Sequence, residues 1–429
     1  MTYVRAAIAV PTAAKKTTTA AMLAATMLAS ATIASPALAD PLTFEDAIER
    51  AQVNAPSLRA KALGAEASRA ARGAAGTLPD PKLSLGIDSF PISGPLAFQP
   101  SQDDFTWVRV GVSQDIPNPA KRRAQRTRAD ADIAVAEASA VLEARNVEVE
   151  TAIAWITLAY AQKRLAAVEE VRGRLDRLVR ATPAAVAAGN ARPGQTLSGR
   201  QALAELDDRR DELVAAVGRA RADLARWTGD TDPTIAGSIP SFTVDAQSLR
   251  ASVDTNPLLA PVQARIGQAD ADVRLAQADR KSDFGVEASY QHRDPRFGDY
   301  VSAGVTVSLP YFTRRRQGAL IAVRQAEVGR VGAEREAARR ALAANLDAGL
   351  ADHAMHHEQW MRSRQTLEPL AYERVDLETA SYAAGRASLV DVVDAHIAVV
   401  DTALTTLDRE ALVEIDGAKL TLTYRSAAR

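Results

Sequence analysis

The chain has 429 residues, of which 47% are hydrophobic, only 5% aromatic and 24% charged, with no cysteine and a formal charge of −1. The missing sulfur excludes disulfide scaffolds, thiol enzymes, Fe–S proteins and zinc–cysteine sites. The near-neutral balance argues against a nucleic-acid partner. Abundant alanine with few aromatics points to long, closely packed helices, and the hydrophobic fraction is too high for disorder.

The chain opens on a targeting signal. Arg5, Lys15 and Lys16 precede an apolar run, Ala20 to Ala34, that ends in SPALA before Asp40. A basic region, an apolar core and an A-x-A site make residues 1–39 a secretory signal peptide. The run falls short of the ~18–20 residues of a membrane-spanning helix. Cleavage after Ala39 removes three basic and no acidic residues, moving the charge from −1 to −4. No later stretch is long and apolar enough to be a transmembrane helix, so any membrane span is expected to consist of β-barrel strands.

The remainder is one half-protein written twice, residues 40–240 and 241–429. AQVNAPSLRA around Asn54 returns as VDTNPLLAPV around Asn256. VGVSQDIPNPAKRRAQ returns as AGVTVSLPYFTRRRQG, and the stretch around Gly189 returns around Gly385, all at nearly constant offset. Each half reads as a helical stretch (43–76; 246–281), two strands (82–88 and 106–115; 284–292 and 300–309) and a long helical hairpin (119–227; 313–424). In the strands, apolar residues alternate with small or polar ones: Leu83, Leu85 and Ile87; Val108, Val110 and Val112; Phe284, Val286, Ala288 and Tyr290; Val301, Ala303, Val305, Val307 and Leu309. That pattern fits a lipid-facing, water-lined barrel wall, and equally a soluble antiparallel sheet with one buried face. Four strands cannot close a barrel, because the smallest known have about eight. Either the sheet lies on a soluble core, or three chains pool twelve strands.

The helices favour pooling. An unbroken helix from Pro119 to Ala187 would extend about 100 Å at ~1.5 Å per residue, far beyond a globular helix. Thr313 to Ala383 reads alike. The last helix carries a seam at 3–4 spacing: Leu389, Val393, His396, Val400, Leu404, Leu407, Ala411, Ile415, Ala418 and Leu422. Gly189 and Gly385 mark the turns where each long helix ends, since glycine supplies the left-handed cap a tight helical turn needs.

Candidate functional residues gather near those turns. Asp391 and Asp394, three apart, share one helix face. Repeated by three chains, they would ring an opening with carboxylates that attract cations; alternatively they only complement the helix dipole. His353, His356 and His357 lie within five residues, and His353 and His357 share a face at a spacing usable by a metal; a solvated polar helix face is the alternative. The basic runs Lys121–Arg123 and Arg314–Arg316 are expected at a membrane interface, reaching phosphate headgroups. No nucleotide-binding, zinc-protease or nucleophile-elbow motif is present, and no enzyme activity or cofactor is expected.

The duplicated half, the proline-ended strands DIPNPAKRR and SLPYFTRRR, and SYAAGRASLVDVVDA at 381–395 resemble the TolC-type outer-membrane efflux family across residues 41–424. The resemblance implies a mainly α fold with a small β part: a homotrimer with a twelve-stranded barrel continued by an α-helical tunnel. It implies an exit duct working with a periplasmic adaptor protein and an inner-membrane pump. LPDPKLSLGIDSFP and GVSQDIPNPAKRR look most like the branch paired with heavy-metal pumps of the resistance-nodulation-division class. By the same resemblance Asp391 and Asp394 narrow and gate the channel, and Tyr382 helps lock the closed tip. Gly189 and Asn190 in one hairpin, and Gly385, Arg386 and Ser388 in the other, dock the adaptor. The family's partner for that tyrosine appears here as Gln195, and its arginine as Ala387 with Arg386 one position early, so the lock differs in detail. Relatives with a lipidated cysteine imply an anchor that this cysteine-free chain is expected to lack. Two rival readings remain: a duct for multidrug export or type I protein secretion, and a periplasmic coiled-coil spacer with a soluble sheet.

Overall fold

The computed structural model describes residues 41–187, 193–311 and 313–425. The expected signal peptide therefore lies outside the described residues. Everything described belongs to one compact unit, 39–429.

Thr43 starts the first helix, α1 (Phe44–Asn54), with a reciprocal cap. Its hydroxyl accepts from the Asp46 N–H at 3.1 Å, and the Asp46 carboxylate accepts from the Thr43 N–H at 3.3 Å. Pro56 forces Ala55 into extended backbone, so the expected helix over 43–76 is two, α1 and α2 (Pro56–Ala74). Strands β1 (Lys82–Asp88) and β2 (Trp107–Ile116) lead into α3 (Pro119–Ala187) and α4 (Pro193–Thr228). The second half repeats the order. After α5 (Ala246–Ser252), two 3-10 turns carry Pro257 into α6 (Ala260–Ala278), then β3 (Phe284–His292) and β4 (Tyr300–Val307). The matched asparagines do the same work in both halves: Asn54 Nδ2 donates to the Thr228 carbonyl at 2.9 Å, and Asn256 Nδ2 to the Thr423 carbonyl at 3.1 Å. Each satisfies an orphan acceptor at the end of its half's returning helix.

The two hairpins differ. α3 runs unbroken for 69 residues. Its counterpart begins at Gln317, not Thr313, and is interrupted: α7 (Gln317–Arg362) passes through a π turn at Ser363–Leu367 into α8 (Glu368–Ala383). The interruption has a local cause: Pro369, inside this helical run, has no N–H for the Gln365 carbonyl, and the ladder shifts to a π turn just before it. Arg409, from the returning helix α9 (Leu389–Tyr424), is seated on the bulge, donating to the Gln359 carbonyl at 3.3 Å and to the buried Ser363 hydroxyl.

The four strands form one antiparallel sheet in the order β1-β2-β3-β4. The register sets apolar against apolar: Leu85 faces Val110, Val110 faces Tyr290, Val286 faces Val305 and Ala288 faces Ala303. This apolar face is uncovered, with Leu85 at 71% and Val301 at 80% exposure, and among the described residues no strand side chain belongs to a core cluster. A soluble sheet with one buried face would need cover that the described residues do not supply. The opposite face is polar and internally paired: Lys82 with Asp115 at 2.7 Å, Arg109 with Asp88 at 3.0 Å. Gly111 is required there, since a Cβ would sit 2.8 Å from the Ser84 hydroxyl.

Sheet and helices join at Asn118, which is buried. Its side-chain amide donates to Asp283 at 2.9 Å and to the Ala278 and Lys281 carbonyls at 3.3 Å, while its oxygen caps α3 through the Lys121 N–H at 2.8 Å. One residue of the first half thus ties the start of its long helix to the strand entry of the second. The basic run lies beside it. Lys121 pairs with Asp279 at 2.9 Å and Arg122 donates to the Gly76 carbonyl at 2.8 Å, so these two cations serve the fold.

The main core gathers where α1, α3, α4 and α9 meet. Trp155 is 1% exposed, stands edge-on to Phe44 at 5.7 Å and donates its indole N–H to the Leu42 carbonyl at 3.1 Å. Trp155→Ala is expected to cost about 3–5 kcal/mol, the cost of truncating a large buried aromatic, and to lower the thermal unfolding midpoint followed by circular dichroism. An unchanged midpoint would mean that this cluster does not hold the four helices together.

Candidate functional site

The tip of the second hairpin is built by the backbone. α8 ends at Ala383, and Gly385 takes φ +71°, the left-handed conformation that reverses the chain. Its N–H donates to the Tyr382 carbonyl at 2.9 Å, and the Arg386 N–H to the Ser381 carbonyl at 2.8 Å, satisfying the last acceptors of α8. Ser388 then starts α9. Its N–H and hydroxyl both reach the Asp391 carboxylate at 2.7 Å, and the Asp391 N–H donates back to the hydroxyl at 3.3 Å. Gly385, Arg386 and Ser388 therefore lie within one exposed turn, whose conformation is fixed by glycine on one side and a capping box on the other. Gly189 and Asn190 lie outside the described residues.

Asp391 thus has a defined structural task. Bonding from Ser388, first through its hydroxyl and then its backbone N–H, holds the Asp391 carboxyl below the usual aspartate range. The ionised cap is favoured above the ordinary aspartate pKa and is lost as pH falls through the lowered one. Asp394, one turn on, is exposed and enters no ion pair among the described residues. Behind this acidic face, Leu389, Val392, Val393 and Ala395 are buried; Leu389, Val393 and Ala395 pack with Val168, Leu175 and Leu206 of the first hairpin and Val375 of α8. Tyr382 is half-buried against the same cluster.

The acidic face continues inward at heptad spacing, where the first hairpin answers it. Asp401 pairs with Arg209 of α4, and Asp408 with Arg164 of α3 at 2.6 Å. The arginine partners were not singled out from sequence, although the spacing Asp394, Asp401, Asp408 carries the signal. Asp391 and Asp394, the outermost aspartates, enter no ion pair among the described residues. His396 lies on the seam near the tip; burial first, and then Arg174, push its imidazole below the ordinary histidine range, so it is neutral at pH 7. The expected seam is realised, with Leu389, Val393, Val400, Ala411, Ala418 and Leu422 all buried.

The three clustered histidines do not form a metal site. His356 turns to Asp416 of α9 at 2.7 Å, His353 and His357 stand with ring centroids 6.5 Å apart, and His357 meets Trp360 edge-on at 5.7 Å. Among the described residues no group of three His, Cys, Asp or Glu side chains could hold a metal ion. Positions 353 and 357 share a face, but 356 is drawn to a different partner, so the donors diverge.

Residues 249–423 match the family model described as outer membrane efflux protein. No curated protein matches the chain. Among solved structures, a membrane protein from Pseudomonas aeruginosa aligns with a TM-score of 0.75 at 16% identity, over 90% of each chain. CusC, described for conformational changes accompanying folding and transmembrane channel formation, gives 0.74 at 14% identity over 90% of this chain and 92% of its own. The Campylobacter jejuni CmeC outer membrane channel gives 0.73 at 12%, over 89% and 85%. At these identities the likeness is one of fold, and it spans both halves. The family match covers residues 249–423 of the second half, and the fold it accompanies is shared with these solved structures over both halves.

Proposed function

We propose that the chain is one third of an outer-membrane efflux channel. Three copies pool their sheets into a twelve-stranded barrel, and their hairpins continue it as an α-helical tunnel into the periplasm, to which the signal peptide delivers the chain. The observation that carries this reading is the uncovered sheet. Its apolar face is exposed, its polar face is internally paired, and β1 and β4 have one neighbour each among the described strands. In lipid such edges must be paired, and closure with further copies pairs them all. With no cysteine to lipidate, barrel insertion alone holds the assembly.

At the far end, the exposed turn at Gly385, Arg386 and Ser388, with Gly189 and Asn190 of the first hairpin, docks a periplasmic adaptor that links the duct to a resistance-nodulation-division pump. Asp391 and Asp394 of three chains ring the entrance, with Tyr382 behind them holding the closed tip. The cargo on this reading is heavy-metal cations. Two features support it: the likeness of residues 78–91 and 111–123 to the heavy-metal branch, and carboxylates at the tip, Asp391 and Asp394, that form no ion pair among the described residues and draw cations from solution.

Deleting the gene is expected to lower tolerance to zinc, cobalt, cadmium, copper or silver while leaving tolerance to dyes and antibiotics unchanged. The reverse pattern assigns the duct to multidrug export. In bilayer recordings, Asp391→Ala with Asp394→Ala is expected to raise single-channel conductance and weaken block by divalent cations. Because Asp391 also caps α9, two further variants separate charge from cap: Asp394→Ala alone should weaken the block, and Ser388→Ala, which spares both charges, should not. Conductance and block unchanged in the double variant would remove these residues from the constriction.

A further inference from the structure

Resting on the barrel reading, we propose that the β1–β2 loop, residues 89–106, is part of the membrane-embedded surface and that its apolar side chains lie among the acyl chains of the outer leaflet. The first observation is a shortfall. A barrel wall needs an apolar band about 25 Å tall. The apolar residues of β1 run only from Leu83 to Ile87, about 13 Å along the strand at ~3.3 Å per residue and less once the strand tilts. The adjacent strand continues no further outward, since β2 begins at Trp107 opposite Asp88. The apolar residues of β2 run down from Val108 to Ile116, so beside the short β1 the loop is what continues the apolar band outward.

The loop has the side chains to do so. Ile92, Phe98 and Phe105 are 74%, 71% and 63% exposed, and Phe90 is 42% exposed, four large apolar groups in a connection that would ordinarily be polar. Phe98 holds φ +59°, and Ser89 φ +57°, in the left-handed region that side chains other than glycine seldom occupy. Ser89 ends the strand alternation, and the Phe98 backbone is fixed by its N–H donating to the Pro91 carbonyl at 2.9 Å. Strain is kept here while the ring stays uncovered, meeting only Phe90 edge-on at 6.3 Å.

Part of the loop's backbone is satisfied from within the chain. Thr106 donates to the Ser89 carbonyl at 3.0 Å, Arg293 of the β3–β4 loop donates to the Asp104 carbonyl at 2.8 Å, and Arg296 donates to the Ser101 carbonyl. Backbone entering lipid must be satisfied internally in this way. Continuity with the apolar face below it, rather than contact with a second copy or a turn into the channel mouth, accounts for the exposed rings.

The absence of native cysteine allows a direct test in the full-length protein. Ile92→Cys, Phe98→Cys, Leu85→Cys on the apolar sheet face and Ser302→Cys on the polar face are each labelled with a nitroxide. The variants are reconstituted in phosphatidylcholine–phosphatidylglycerol vesicles, and collision with oxygen is compared with collision with a water-soluble nickel chelate. The expected result is an oxygen-to-nickel ratio at 92 and 98 severalfold above that at 302 and similar to that at 85. A ratio at 92 and 98 equal to that at 302 would put the loop in water and overturn the proposal, while low access to both probes would mean that protein covers it and would overturn it equally. If position 85 itself reads as aqueous, the barrel reading fails, an outcome distinct from failure of the loop alone.

Discussion

In hydrocarbon each unpaired backbone N–H or C=O costs several kcal/mol, and an open four-stranded sheet has two rows of them. On the barrel reading, the architecture of this chain depends on that cost. One sheet face is apolar and bare, its other face is settled by ion pairs and hydroxyls, and neither face contributes to the core clusters. The strands are stable in lipid only as part of something larger, so the rest of the chain has to deliver them in a fixed register and orientation to their counterparts. A rigid connection between sheet and helices meets that need. Asn118 locks the start of the 69-residue helix to the strand entry of the other half.

The helical part solves a different problem. A wall one or two helices thick has little interior to fill, which is why alanine and valine dominate its buried positions and why the large side chains concentrate around Trp155. Ion pairs such as Arg164–Asp408 and Arg209–Asp401 stitch the hairpins together at partly exposed positions, where each contributes little singly and more to alignment than to stability. At the tip the stitching stops. The outermost aspartates face solvent, and among the described residues they enter no ion pair, unlike Asp401 and Asp408 further along the same helix.

Much of this could be read from residues because the relevant periods are short and local. Alternation by two placed Leu83, Leu85 and Ile87 on one face, the 3–4 spacing placed the seam of α9, and Gly385 marked the left-handed turn it occupies. The parts that could not be read depend on side chains meeting across long sequence separations. Nothing local to His356 says that it prefers Asp416 to its neighbouring histidines, nothing near Lys121 announces Asp279, and nothing near Ser363 announces that Arg409 reaches it from the returning helix. Asp391 lies between these cases: its position beside the tip was legible, and its engagement by Ser388 is a local capping pattern that the expectation of a gate left out.

The central claim is that the sheet is completed by other copies of the same chain. Native mass spectrometry of the protein extracted from membranes in mild detergent tests it most directly. The account predicts a particle of three chains that falls to single chains only on heating, with loss of strand signal in the circular dichroism spectrum. A single chain that keeps its four strands intact in detergent, with both edges unpaired, would contradict it.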